Sequence, residues 1–366
     1  MGASKAVRVS AISTANALAL WVCLVTNPVI AAQGAGAPSS FRDDLAIDGK
    51  ISILVEVTDK AGHPISGLQE ADFRVFDDHR EQKILAFSAT DVAHPAATPA
   101  EIQIIIDAMN SGPVTVARER DGVSGFLKRS AGKLDYATSI WALENQRLKQ
   151  IAPPSKDGAA LMAALDGSQS PLRVVDRSAG MWGDVERSDQ AIRLVKEMIA
   201  PDARPKGRKL VLFISPGWPL LFNYEVDQRK WLFDDIVEIS NGLRASRIAF
   251  YALAPLSFNT LISHGLNENF FAYDGSLKPV KKVSEAQYAD LSLQVLSEHS
   301  GGLVMSEGND ITAEINRALR DAATYYTLSF EQAQEHGRTE YHEIRVAVDR
   351  PGVRVRTNAG YYVGAP

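Results

Sequence analysis

The chain has 366 residues, enough for one large domain and a smaller one with an ample apolar core. Its formal charge of −5, with no basic run, argues against nucleic acid as a partner. A single cysteine, Cys23, excludes a disulfide framework within the chain.

At the amino end, Lys5 and Arg8 precede an apolar stretch over about 17–25, and the small residues Ala31 and Ala32 follow. Val29 and Ala31 suit the −3 and −1 positions of a signal peptidase site, which predicts an export signal over 1–32. The apolar run is shorter than the roughly 20 residues of a membrane span, so no transmembrane anchor is expected after cleavage. Loss of Lys5 and Arg8 takes the charge from −5 to −7 and leaves no cysteine. A thiol nucleophile and cysteine-ligated zinc or iron–sulfur are then excluded, and the location is secreted or periplasmic. Residues 33–48 read as a small-residue linker.

Residues 49–92 read as a short antiparallel β unit. Ile51, Ile53, Val55 and Val57 alternate on one face; 73–76 and 84–87 are further strands, separated by turns at 59–64 and 77–79. A proline-containing linker over 94–99 leads to an α/β region, 98–322. Continuous apolar runs at 102–106, 210–214 and 248–253 suit parallel strands covered on both faces, and 136–143 reads as an edge strand. Amphipathic helices are marked by Ile192, Val195 and Ile199; by Trp231, Leu232, Ile236, Ile239 and Leu243; by Tyr288, Leu291 and Val295, closed by Gly301 and Gly302; and by Ile311, Ile315 and Leu319 behind the N-cap Asp310. Right-handed crossovers predict a doubly wound, mostly parallel sheet with helices on both sides. The strands of 323–366 are expected to join the amino-terminal β unit into a small sandwich, because three strands alone are only marginally stable.

The run Ile102, Gln103, Ile104, Ile105, Ile106 ends in Asp107, at the carboxyl end of a buried strand. Ligands of open α/β sheets sit outside that end, and a carboxylate there is costly unless something uses it. The expectation is an acid facing an open crevice. The alternative has Asp107 capping the helix that starts near Val114, or accepting from amides of its own loop.

Three stretches together carry a family resemblance: 57–78 with Gly67, Leu68, Phe73 and Asp77–Asp78; the strand ending in Asp107; and 325–362 with Tyr325, Tyr326, Arg350, Pro351, Gly352 and the Gly360-Tyr361-Tyr362 close. Over roughly 51–363 the chain resembles bacterial secreted proteins with a von Willebrand factor A-related domain, of the acidobacterial type. The resemblance implies a Rossmann-like von Willebrand A domain and, for the wider family, adhesion or protein binding through a metal-ion-dependent adhesion site. That site uses a D-x-S-x-S loop, a Thr from a second loop and an Asp ending a later strand, which give Mg²⁺ oxygen ligands with one position open to a partner carboxylate. Here Asp107 matches the first Asp and Ser111 the second Ser, but Met109 replaces the first Ser, and a thioether is a poor ligand for a hard cation. Asn110 is out of register; Ser155 or Asp157 stands in for the Thr, beside Lys156, and Ser215 takes the place of the later Asp. No cofactor is expected. Mg²⁺ or Ca²⁺ is the metal this degenerate set would suit.

Phe213-Ile214-Ser215-Pro216-Gly217 partly imitates the hydrolase elbow G-x-S-x-G, but Phe213 replaces the first glycine and Pro216 lacks the N–H that helps form an oxyanion hole. Aromatic residues near the same rim, Trp218 and Phe222 after Ser215 and Phe270 and Phe271 in a long loop over 257–282, suit a partner-binding patch with Asn110. The expected function is an exported, non-enzymatic protein-binding or adhesion module. The alternatives are a structural envelope component with the A-like domain as spacer, and a serine hydrolase at Ser215.

Overall fold

The computed structural model describes residues 49–130, 132–144, 147–168, 180–200, 207–220, 226–254, 273–305, 310–334 and 339–364. All belong to one unit, Ser40–Pro366. The predicted signal (1–32), the linker (33–48), Phe222, Phe270 and Phe271 lie outside the described residues.

Among the described residues, fourteen strands form three sheets. β1 (Lys50–Thr58), β2 (Phe73–Asp77), β3 (Arg80–Gln82) and β4 (Ala86–Thr90) precede the α/β region; β11 (Tyr325–Glu331), β12 (Glu340–Val348), β13 (Arg354–Arg356) and β14 (Gly360–Val363) follow it. One antiparallel sheet runs β13-β1-β11-β4 and the other β14-β12-β2-β3, so each combines strands from both ends of the chain. Their facing residues share one core: Ile51, Ile53, Val55 and Val57 against Phe73, Val75, Ile344, Val346 and Tyr361. The turn expected at 77–79 closes a hairpin of β2 with β3, a short strand the sequence reading did not contain; Asp78 and His79 both have positive φ (45° and 67°), as a type I′ turn requires.

Between the two halves of the sandwich lies a six-stranded sheet: β5 (Glu101–Asp107), β6 (Lys133–Glu144), β7 (Arg147–Asp157), β8 (Lys209–Ile214), β9 (Ile248–Leu253) and β10 (Leu303–Met305), in the order β10-β9-β8-β5-β6-β7. Counted from β5, this is the doubly wound order 3-2-1-4-5-6, parallel throughout except that β7 is antiparallel to β6. Two expectations fail here. Residues 136–143 lie in an interior strand, and 153–157 belong to the edge strand β7 rather than to a loop; an edge tolerates Pro153 and Pro154 because one side of it needs no ladder donors.

One face is covered by α1 (Pro113–Arg129), α2 (Gly158–Gly167) and α6 (Ile311–Ala323). The other is covered by α3 (Gly180–Ile199), α4 (Val226–Ala245) and α5 (Leu293–His299). The Asp310 carboxylate caps α6 by accepting from Ala313 N at 3.0 Å. After α5 the chain turns at Gly301 (φ +82°). It then runs so close to β9 that a Cβ on Gly302 would lie 1.6 Å from the Phe250 carbonyl oxygen. Among the described residues no helix is long and apolar enough to cross a membrane.

The sandwich is fastened to the amino ends of the central strands by buried charge. Arg208 pairs with Glu56 of β1, donates to the Asp321 carbonyl at 2.6 Å and stacks 4.7 Å over Tyr325. Arg356 bonds Asp321 at 2.6 Å, and Tyr251 donates to the same carboxylate at 2.8 Å. Two acids and two arginines cancel, the condition under which buried ions are tolerated. This explains why the alternation of β1 stops at Val55: from Glu56 onward both faces are covered.

Candidate functional site at the carboxyl end of the central sheet

Asp107 ends β5; the preceding residue, Ile106, pairs with Ile214 of β8, and Ser215 follows Ile214 directly. The Asp107 side chain is fully buried, at 0% exposure, which corrects the expectation of an open crevice. Its Oδ1 accepts from Met109 N at 2.9 Å and Asn110 N at 2.8 Å. Its Oδ2 accepts from Asn110 Nδ2 at 2.8 Å and from the Ser215 hydroxyl at 2.6 Å. The Ser215 Oγ in turn accepts from Gly217 N at 2.9 Å. A carboxylate offers about four acceptor positions, and four donors of this chain occupy them. Burial pushes the Asp107 carboxyl up, against the pull of those hydrogen bonds.

Ser111 donates to Glu119 Oε1 at 3.0 Å. Glu119 is a buried acid on the inward stripe of α1, with Val116 and Val123. Burial, with a further push from the Asp107 charge, raises its carboxyl to about 8 despite the Ser111 bond. Met109 packs into the core on the α3–α4 side, where an apolar thioether belongs. Ser155 and Asp157 sit at the far end of edge strand β7. Asp157 is the N-cap of α2, accepting from Ala159 N and Ala160 N at 2.9 and 3.0 Å, and its own N–H is taken by Ser155 Oγ at 3.0 Å.

Of the five residues expected to ligate a metal, the fold joins Asp107 to Ser215, sets Ser111 on Glu119, and joins Ser155 to the Asp157 amide at the far end of β7. This arrangement does not fit a hydrated Mg²⁺: the acid's acceptor positions are filled, and no second carboxylate shares them. Nor does it fit a serine nucleophile. The Ser215 hydroxyl is buried and engaged by Asp107 and Gly217, with no histidine on it among the described residues. His299 instead meets the Leu277 carbonyl at 3.1 Å, and His264 lies outside the described residues.

The aromatic residues are distributed otherwise than expected. Trp218 is a core side chain, 2% exposed, set edge-on to Phe213 at 6.0 Å with its indole N–H donating to the Leu291 carbonyl at 3.2 Å. The preceding Gly217 has φ +92°, a conformation that favours glycine. Trp231, placed on the inward stripe by the sequence reading, is 72% exposed. At about 100° per residue, the buried residues Leu232, Phe233, Ile236, Val237, Ile239 and Leu243 fill one side of α4, and Trp231 falls opposite. Trp182, in the first turn of α3, is 76% exposed. α3 and α4 run side by side in the same direction: Lys196 bridges Asp235 and Glu238 at 2.8 and 2.7 Å, and Ile199 packs on Gly242. Both tryptophans therefore lie toward the amino ends of these helices, the direction of the rim at Ser215. Val114, second residue of α1, is 85% exposed at the same end of the sheet. The signal for Trp231 was present in the helical wheel and that for Glu119 in its i+3 and i−4 spacing to Val116 and Val123. Trp182 carried only its glycine neighbours.

No family model matches the chain, and no curated protein matches it. Among solved structures, an aerotolerance-related membrane protein from Bacteroides fragilis is similar over 61% of this chain and 98% of its own, at 14% identity and a TM-score of 0.34. A von Willebrand factor type A protein from Catenulispora acidiphila is similar over 87% of this chain and 75% of its own, at 9% identity and a TM-score of 0.31. The α/β part of the chain is a doubly wound, mostly parallel sheet with helices on both faces. The pilus adhesin SpaC from Lactobacillus rhamnosus GG is similar over 80% of this chain and 48% of its own, at 8% identity and a TM-score of 0.35. At the carboxyl end of this sheet, where open α/β sheets offer a rim to ligands, Asp107 is closed by the chain's own hydrogen bonds.

Proposed function

We propose that the chain is an exported, non-enzymatic protein-binding module, secreted or periplasmic. Its A-like domain engages a protein partner without a metal at Asp107. The observation that carries this reading is the pair of exposed indoles, Trp182 and Trp231, on the neighbouring helices α3 and α4. Large exposed aromatics cost solubility unless a partner covers them, and tryptophan is the residue most enriched among binding hot spots. The closed hydrogen-bond set around Asp107 supports metal independence, since a cation would have to displace four donors. The buried, engaged Ser215 supports the non-enzymatic part of the reading.

The test is capture of partners from a cell-envelope extract by immobilised chain in the presence of EDTA. Wild type should retain its partner in the chelator, and the double variant Trp182→Ala/Trp231→Ala should lose it. Capture unchanged by the double substitution would remove the proposal.

A further inference from the structure

We propose a divalent metal site at the β2–β3 turn of the sandwich, formed by Asp77, Asp78 and His342, remote from Asp107. The ligand atoms of these three side chains all lie within 4.8 Å of one another. His342 Nδ1 is 2.9 Å from Asp77 Oδ1 and 3.4 Å from Asp78 Oδ2. Donors about 2.0–2.2 Å from a Zn²⁺ ion stand roughly 3 to 3.5 Å apart in tetrahedral geometry, so these spacings already suit coordination.

Outer contacts hold each carboxylate in the required attitude. Asp77 Oδ2 accepts from the Tyr361 hydroxyl at 2.7 Å, which leaves Oδ1 toward the imidazole. Asp78 Oδ1 accepts from Glu343 N at 3.1 Å, which leaves Oδ2 toward it. The imidazole stacks on Tyr361 at 5.2 Å with the planes 22° apart, fixing the ring. Such partners, one oxygen tethered and the other presented, are what orient metal ligands. The backbone also serves: β2 and β12 pair at Asp77 and Ile344, and Asp78 occupies the turn after β2 at positive φ, so two adjacent strands and that turn supply the three ligands.

A cavity of about 610 Å³ opens beside the group, lined by Asp78 and His342 and walled elsewhere by Phe233, Tyr341, Lys230, Lys281 and Lys282. Water reaches the site from it, filling the position that three protein ligands leave open. The lysines are balanced by Asp78, Asp234 and Glu340 on the same lining, so Asp77 gives the surroundings their net negative sign. One imidazole with two carboxylates suits zinc or a similar first-row divalent ion better than Mg²⁺.

The test is calorimetric titration of the full chain with Zn²⁺, with melting temperature read in parallel. One equivalent should bind and raise the melting temperature. Asp78→Asn and His342→Ala, both folded, should each weaken binding by roughly tenfold or more, the scale expected for damage to a metal site. Asp107→Asn should bind as wild type does, which separates this site from the rim. Absence of binding, or binding unaltered in both Asp78→Asn and His342→Ala, would overturn the proposal.

Discussion

Two carboxylate groups, at opposite ends of the logic of burial, divide this molecule. At Asp107 both oxygens are spent on donors from the same chain, and the side chain is sealed. At Asp77 and Asp78 each acid has one tethered oxygen and one presented to a shared imidazole, and a cavity lies alongside. We rank the two places by the number of acceptor positions left after the chain has taken its own, rather than by position in the fold. On the reading proposed here, the rim at Asp107 is structural and the place for a cation is in the sandwich.

The structural character of the rim is tested first by its core indole. Trp218→Ala should destabilise by about 3–5 kcal/mol in chemical denaturation, the range for removing a large buried aromatic. A loss under 1 kcal/mol would mean that the segment after Ser215 is not core. Ser215→Ala should cost on the order of 1–3 kcal/mol, because it leaves a buried carboxylate oxygen short of a donor.

Glu119 gives the rim a pH signature. Its folded value, about 8, lies above the unfolded value near 4.5, so the folded state binds the proton more tightly. Its contribution is whole below about pH 4.5 and is lost as pH rises toward 8. Asp290 and Glu314, raised by burial to about 7, act in the same direction. The lowered value of buried His299 opposes them, but only up to its ordinary range near 6.5. Melting temperature should therefore fall from pH 6.5 to pH 8 in wild type. Glu119→Gln should flatten that fall, with a gain on the order of 1 kcal/mol at pH 8 and little difference at pH 5. Parallel curves for the two proteins would show that Glu119 does not hold its proton. Trp231→Ala should change stability by less than about 0.5 kcal/mol, as expected for a surface site, while removing partner capture together with Trp182→Ala.

Much of the architecture was legible because parallel strands buried on both faces are written as unbroken apolar runs: 102–106, 210–214 and 248–253 all lie within observed strands. β7 was not legible, since an edge strand carrying Pro153, Pro154, Lys149 and Gln150 has the composition of a loop. α2, with four alanines in ten residues, carried a helix signal in its propensity that weak amphipathicity obscured. Within the candidate site, the link of Asp107 to its own loop follows from local chemistry. Its closure by Ser215 joins residues 108 apart and exists only once β5 and β8 pair. The two tryptophans show the limit of pattern reading. Trp218 was assigned outward because it follows a strand, and Trp231 inward because it is apolar. The core packing of Trp218 and the angular position of Trp231 on α4 reverse both assignments.

The smallest expected effect is also the most direct test of the closed rim: calorimetric titration of the chain with Mg²⁺, wild type against Asp107→Asn verified as folded. The account predicts the same trace for both, with no binding heat that depends on Asp107. A one-site isotherm in wild type that disappears in folded Asp107→Asn would contradict it, because the cation would then have displaced donors that the chain is argued to keep.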